Sequence, residues 1–410
     1  MGEMAHYTPG AHVLAVLIGS WFGADGLRAF FPLLVFCTAL TAGFIFLIGR
    51  RLGLPLPYAI AAVMLLFLAP QYFHGAFTHD SFLAQAVATF FAVSAWWALI
   101  VWDEERSTIA AVAFSIFLVT VFLAWPVFVG PLVLVFLALA AKSWRPLVIG
   151  IGPLAVFAAI HLAGRAGWLT MVRTSGAVLR PGLDSVGWLL PLLTLIGLAV
   201  SAKDRRARVT IVFLLVIVLQ AITLFAIATA NGADTPYMAF KMVYLALYPA
   251  AVLAALALAR VGQIVGDRIA TVGWVIATIL LLTVVQPAMT APRTVPVINL
   301  DLYAAGQWTR ANIGQTCVDY LVADAETAYW LHLAVLGNPR ASERMVEIDR
   351  YEPRAAMGPW ITAEGRSYAI ADLRLLPDEV RSRVEIVRTF GAAAVLKRAG
   401  VMMGDCDLGR

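Results

Sequence analysis

The chain has 410 residues, of which 61% are hydrophobic and only 13% charged, with a formal net charge of +5. A soluble globular chain carries roughly a quarter of its residues as charges, so this composition excludes a water-facing surface over most of the chain. It excludes disorder as well and points to lipid as the solvent. The basic residues are spread over short loops, a pattern that sets membrane orientation and leaves no nucleic-acid footprint.

In chain order, Met1 to Gly10 has no basic start and no signal-peptide character. It holds His6-Tyr7-Thr8-Pro9-Gly10, a rigid proline turn that either shapes a pocket rim or merely starts a helix. The run His12 to Phe22 is too short to span and is expected to be an interfacial helix on the outer surface. A spanning helix needs roughly 20 apolar residues. Runs that approach this occupy 30–49, 55–72, 82–102, 107–124, 126–141, 146–164, 187–202, 209–229, 237–259 and 269–288. Trp125-Pro126 splits the fourth from the fifth, because proline disfavours helix continuation.

The loops alternate in charge. One set holds Arg50, Arg51, Arg106, Lys142, Arg145, Lys203, Arg205, Arg206, Arg208, Arg260 and Arg268; the other holds Arg165, Arg173 and Arg180. Basic residues stay on the cytoplasmic side, which puts the first set inside and both chain ends outside.

From Val297 the composition changes to that of a small α/β domain. Cys317 to Ala323 reads as a strand, and Asp324 as the cap of a helix over 325–336 ended by Gly337. Weaker strand signals cover Ser367 to Leu375 and Val384 to Thr389, with a helix start at Pro377-Asp378-Glu379. Cys317 and Cys406 would share an oxidising compartment, where they either pair or stay as two thiols. The expected fold class is thus an all-α polytopic membrane bundle of about ten spans with a small extracytoplasmic α/β domain. Its parts are an external segment 1–29, the bundle 30–288 and the domain 289–410.

Polar groups at membrane depth are costly and are the default functional candidates. His74 to Ser81 contains His79 and Asp80, side chains of the type that hold a divalent ion; Asp80 equally suits the N-cap of the next helix. Lys241 lies about one turn below the outer end of its span, on a helical stripe with Tyr237, Tyr244 and Tyr248. Such a lysine either snorkels to the headgroups or faces the bundle interior, ready to pair with a phosphate. The outer loop 165–186 is either a headgroup-binding strap or simply solvated, and His161 and Gln220 read as interhelical hydrogen-bond partners.

The order of these pieces resembles the GT-C superfamily of membrane glycosyltransferases. Tyr7-Thr8-Pro9-Gly10 with the short helix and Arg28 looks like the close of that superfamily's first external loop. Arg50-Arg51-Leu52-Gly53 looks like its first cytoplasmic turn, and Gly75 to Ala84 lies where oligosaccharyltransferase catalytic subunits carry an acidic metal-binding motif. Tyr303 to Asn312 opens the tail as many of these enzymes open their external domain. The resemblance implies transfer of a sugar from a polyprenyl-phosphate donor to a glycan or protein acceptor on the outer face of the plasma membrane. Membrane lipid surrounds the bundle, and no nucleic acid takes part. It implies donor binding by Lys241, Tyr244, Tyr7 and His6, and a divalent metal ion at His79 and Asp80. The spanning helix and aspartate that begin the superfamily's first external loop have no counterpart here, and Glu3 is no evident replacement, so the catalytic residue is unassigned. The chain is then an incomplete enzyme sequence or a non-catalytic accessory subunit. A transporter of a lipid-linked saccharide is the further alternative, and it calls for charges near the midplane.

The charge pattern makes one directly measurable statement. A compartment-sensitive reporter fused after Arg410 is expected to be active on the outer side only, and activity confined to the cytoplasm would invert the topology.

Overall fold

The computed structural model describes residues 9–69, 82–141, 144–163, 180–264, 268–290, 297–313, 317–336, 360 and 366–399. The chain divides into two compact units, one running to Arg293 and one from Thr294.

Among the described residues the elements of the first unit are helices: α1 Gly10–Trp21, α2 Gly26–Arg51, α3 Leu56–Leu66, α4 Leu83–Glu105, α5 Thr108–Ala124, α6 Val129–Ala140, α7 Trp144–Ala163, α8 Leu183–Val186, α9 Leu189–Ser201, α10 Arg208–Ala230, α11 Tyr237–Ile264 and α12 Ile269–Thr290. Six helices, namely α2, α4, α7, α10, α11 and α12, are long and apolar enough to cross a membrane. The chain is a multi-pass membrane protein. The other four expected spans are apolar helices of 11 to 17 residues. At 1.5 Å per residue the shortest covers roughly 17 Å, well under a hydrocarbon core of about 30 Å. The run 55–72 is helical only to Leu66, and 126–141 opens with a short 3₁₀ turn, Pro126–Phe128, before α6. Trp125 is extended (φ −157°, ψ 93°) and makes the break expected of Trp125-Pro126. Across that break, Gln220 on α10 donates to the Val127 carbonyl at 2.7 Å, satisfying a group that the interrupted helix leaves open.

Small residues set the helix spacing. Gly197 on α9 faces the Leu253 backbone of α11 so closely that a Cβ would overlap the Leu253 carbonyl oxygen. Beside it Thr194 donates to Leu190 O at 2.7 Å and to Ala250 O at 3.2 Å. Tyr58 on α3 wedges between Gly262 of α11 and Gly273 of α12 and donates to Ile269 O at 3.1 Å.

One end of the bundle gathers charges. Arg51 binds Glu104 at 2.8 Å and also Glu105, while Asp103 accepts from Arg106 at 3.1 Å and from Arg208 at 2.6 Å. These side chains come from the loops that the charge pattern grouped together. The pairs are partly exposed and contribute on the order of 1 kcal/mol or less each.

The second unit is a four-stranded mixed sheet with helices. It comprises α13 Leu300–Asn312, β1 Val318–Leu321, α14 Ala325–Leu336, β2 Tyr368–Asp372, α15 Asp378–Arg381, β3 Val384–Phe390 and β4 Ala393–Arg398, in the strand order β1-β2-β4-β3. Only β1 and β2 run parallel. Asp324 caps α14, accepting from the backbone of Thr327 at 2.7 Å, and Asn299 caps α13. The β3–β4 turn uses Gly391 at φ 55°, and the Asp301 carboxylate accepts from Ala392 N at 2.9 Å where a Cβ on Gly391 would collide with it. Asp372 is clasped by Arg374, whose hydrogen bonds hold the carboxyl below the usual carboxylate range. Cys317 is disulfide-bonded and Cys37 is a free, buried thiol; Cys406 lies outside the described residues.

The glycine contacts set the first structural test. Gly197→Leu is expected to destabilise the bundle by about 1–3 kcal/mol through overpacking, read as a lowered unfolding midpoint in detergent. Gly43→Ala, whose Cβ would meet nothing within 4 Å, is the control and should leave the midpoint unchanged or raise it.

Candidate functional site

At the end of the bundle away from the ionic cluster, α4 and α11 begin side by side. Lys241, the second turn of α11, is 1% exposed. Its Nζ donates to Gln85 Oε1 of α4 at 2.7 Å, lies 3.0 Å from the ring centroid of Phe82 and 5.0 Å from that of Tyr237. The lysine therefore faces inward and does not snorkel. Magnitudes make this reasonable. A lysine at mid-membrane costs about 2.5–3.5 kcal/mol and less near the surface. A charged hydrogen bond contributes roughly 1.5–3 kcal/mol, and a desolvated cation–π contact about 2 kcal/mol.

Tyr237 continues the site outward, its ring 6.4 Å edge-on from that of Trp125. Trp125 follows the end of α5, against whose Leu123 carbonyl Gly10 is packed. The start of α1, the end of α5, the start of α4 and the start of α11 thus meet at one end of the unit. Tyr244 and Tyr248, next on the α11 stripe, are 0% and 2% exposed. On α4, Thr89 lies one turn from Gln85 on the same face. It is buried, and its hydroxyl has no hydrogen-bond partner among the described residues.

Of the residues singled out in the sequence, Lys241 and Tyr244 are placed in this interior. His6, Tyr7, His79 and Asp80 lie outside the described residues. The N-cap position of α4 falls on Phe82, which makes no side-chain cap, and not on Asp80. Among the described residues no group of three or more His, Cys, Asp or Glu side chains is placed to hold a metal ion.

Gln85, Phe82 and Trp125 were not singled out from the sequence. Gln85 had a legible signal, because it is the lone amide in the first turn of an apolar span, at the depth of Lys241 on α11. Phe82 and Trp125 had none, since aromatic residues are common at span ends.

No protein-family model matches the chain, and no curated protein matches it in sequence. Among solved structures it is similar to the oligosaccharyltransferase of Archaeoglobus fulgidus in the apo form. The TM-score is 0.50 and the identity 15%, over 90% of this chain and 62% of that one. The likeness is one of fold. The chain therefore spans less than two thirds of the oligosaccharyltransferase it matches. ArnT from Cupriavidus metallidurans is also similar, at TM-score 0.47 in the apo state (14% identity) and 0.48 bound to undecaprenyl phosphate (12% identity). In both cases 94% of this chain and 86% of that one are covered.

Proposed function

We propose that this GT-C bundle binds a polyprenyl-phosphate-linked sugar and takes part in transferring the sugar to a glycan or protein acceptor on the outer face of the membrane. The observation that carries the reading is Lys241, a cation held inside the bundle by Gln85 and Phe82 near the outer ends of α4 and α11. A charge buried in a membrane bundle marks a ligand path by default, and an ammonium suits a phosphate. The GT-C fold supports the same class of chemistry.

In the reaction, the acceptor hydroxyl oxygen attacks the anomeric carbon and the bond from that carbon to the phosphate oxygen breaks. The electron pair leaves with the lipid phosphate, and a general base takes the hydroxyl proton. Lys241 stabilises the negative charge on the departing phosphate, while Tyr244 and Tyr237 line the approach. His6 and Tyr7 stand four and three residues before Gly10 in the chain, and Gly10 packs against the end of α5. Asp80 and His79 stand two and three residues before Phe82 in the chain. We assign His6, Tyr7, His79 and Asp80 to the rim of the site on these sequence positions, with His79 and Asp80 as the ligands of a divalent ion if one is bound. The base is not assigned. The remaining topology follows the charge pattern, with the basic loops inside and the α/β domain outside.

Lys241→Met keeps length and packing and removes the charge. It should weaken binding of farnesyl phosphate, a short prenyl phosphate, to the purified chain by about tenfold to a hundredfold, the scale of one charged hydrogen bond. Folding and membrane insertion should survive. Lys241→Arg should recover part of the affinity through its retained charge. Unaltered binding in the methionine variant would remove the phosphate role.

A further inference from the structure

At the end of the bundle that gathers charges, the arginines fall into two groups. Arg51, Arg106 and Arg208 are each bound to a carboxylate, and together they use Asp103, Glu104 and Glu105. Arg50 and Arg206 are placed differently. Arg50, on the last turn of α2, donates through Nη1 to the Leu54 carbonyl at 2.8 Å. Arg206 reaches the same turn from the connection between α9 and α10, where a Cβ on Gly53 would stand 3.2 Å from its Nη1. Gly53 has φ 85°, a conformation that favours glycine, so the spot that receives Arg206 carries no side chain. Asp204, the acid nearest to Arg206 in sequence, accepts from the Arg206 backbone N at 2.9 Å. Among the described residues neither guanidinium is bonded to a carboxylate.

Two guanidinium groups thus converge on the Gly53-Leu54 turn. The preference for cations at a helix C-terminus accounts for Arg50. It does not account for Arg206, which comes from another pair of helices and adds a like charge. A guanidinium carries five donors in a planar fork that matches phosphate, and Arg50 commits one of its donors to Leu54. Both side chains are exposed. Leu47, three residues before Arg50 on the same face of α2, is 47% exposed, and Leu56 at the start of α3 is 46% exposed. Cations at a helix end next to lipid-facing leucines match an anion with an apolar body.

We propose that Arg50 and Arg206 form a binding site for the phosphate headgroup of an anionic membrane lipid, at the turn between α2 and α3. Bound there, the headgroup joins the α9–α10 connection to the end of α2, two segments whose arginines otherwise repel. The orientation given by the charge pattern puts this turn at the cytoplasmic leaflet, whose anionic lipids attract basic residues. The site itself depends neither on that orientation nor on the reading of Lys241.

The experiment titrates the purified full chain in detergent with dioleoyl phosphatidylglycerol and reads the shift of the unfolding midpoint, from which an affinity follows. Dioleoyl phosphatidylcholine and inorganic phosphate are the comparison probes. The anionic lipid should raise the midpoint, and neither comparison probe should do so at the same concentration. Arg206→Gln should weaken the affinity for phosphatidylglycerol about fivefold, the scale of one basic residue at an anionic surface, and Arg50→Gln combined with it should weaken it further. Arg205→Gln is the control, since that exposed side chain makes no hydrogen bond or ion pair among the described residues, and it should leave the affinity unchanged. An equal loss in Arg205→Gln would show a diffuse surface charge and overturn the site. Wild-type affinity in the double variant, or an equal response to phosphatidylcholine, overturns it as well. An equal response to inorganic phosphate overturns the lipid as its occupant. If Arg50→Gln, which loses the bond to Leu54, does not fold, Arg206→Gln decides alone.

Discussion

Lipid tails are as apolar as leucine, so burying apolar area does not pull helices together inside a bilayer as it does in water. What remains is close packing and the satisfaction of polar groups, and the arrangement of the bundle follows from both. Gly197 lets α9 approach the α11 backbone until Leu253 O fills the space of a side chain. Gly262 and Gly273 make the slot for Tyr58. Gln220 covers the carbonyl exposed where Pro126 interrupts the helix. α11 is the common member: it meets α9 at Gly197, α3 at Tyr58 and α4 at Lys241, and it is mostly buried along its length.

Charge is sorted by the same constraint. At one end, Arg51, Arg106 and Arg208 pair with Asp103, Glu104 and Glu105 in contact with water, where each pair adds little and any one can be lost. At the other end a single lysine is drawn inside. Gln85 and Phe82 are two of the groups that contact it there.

The second unit obeys soluble rules. Its sheet is covered on both faces, and its turns and helix ends are held by Asp301, Asp324 and Asn299. The edge strand β3 carries a bulge between Ile386 and Arg388, which turns Arg388 to the face of α13, where its guanidinium lies over Trp308 and Phe390. Bulges and charges of this kind blunt an open sheet edge.

The sequence by itself determined the solvent, the order of helices, the break at Trp125-Pro126 and the change of rules after Val297, because each depends on local composition and local backbone chemistry. It marked α14 and its Asp324 cap, and it singled out Lys241 as a buried or snorkelling cation. It did not reveal β4: Ala393-Ala-Val-Leu-Lys-Arg398 is short and alanine-rich, fits a helix as well as a strand, and is a strand because β2 and β3 flank it. It did not show that four expected spans are short helices, since hydropathy does not register where a backbone stops being helical. Nor did it join Gln85 to Lys241. Which way a lysine points is decided by the partner it finds, and that partner lies 156 residues away, on a neighbouring helix that only the tertiary structure brings within 2.7 Å.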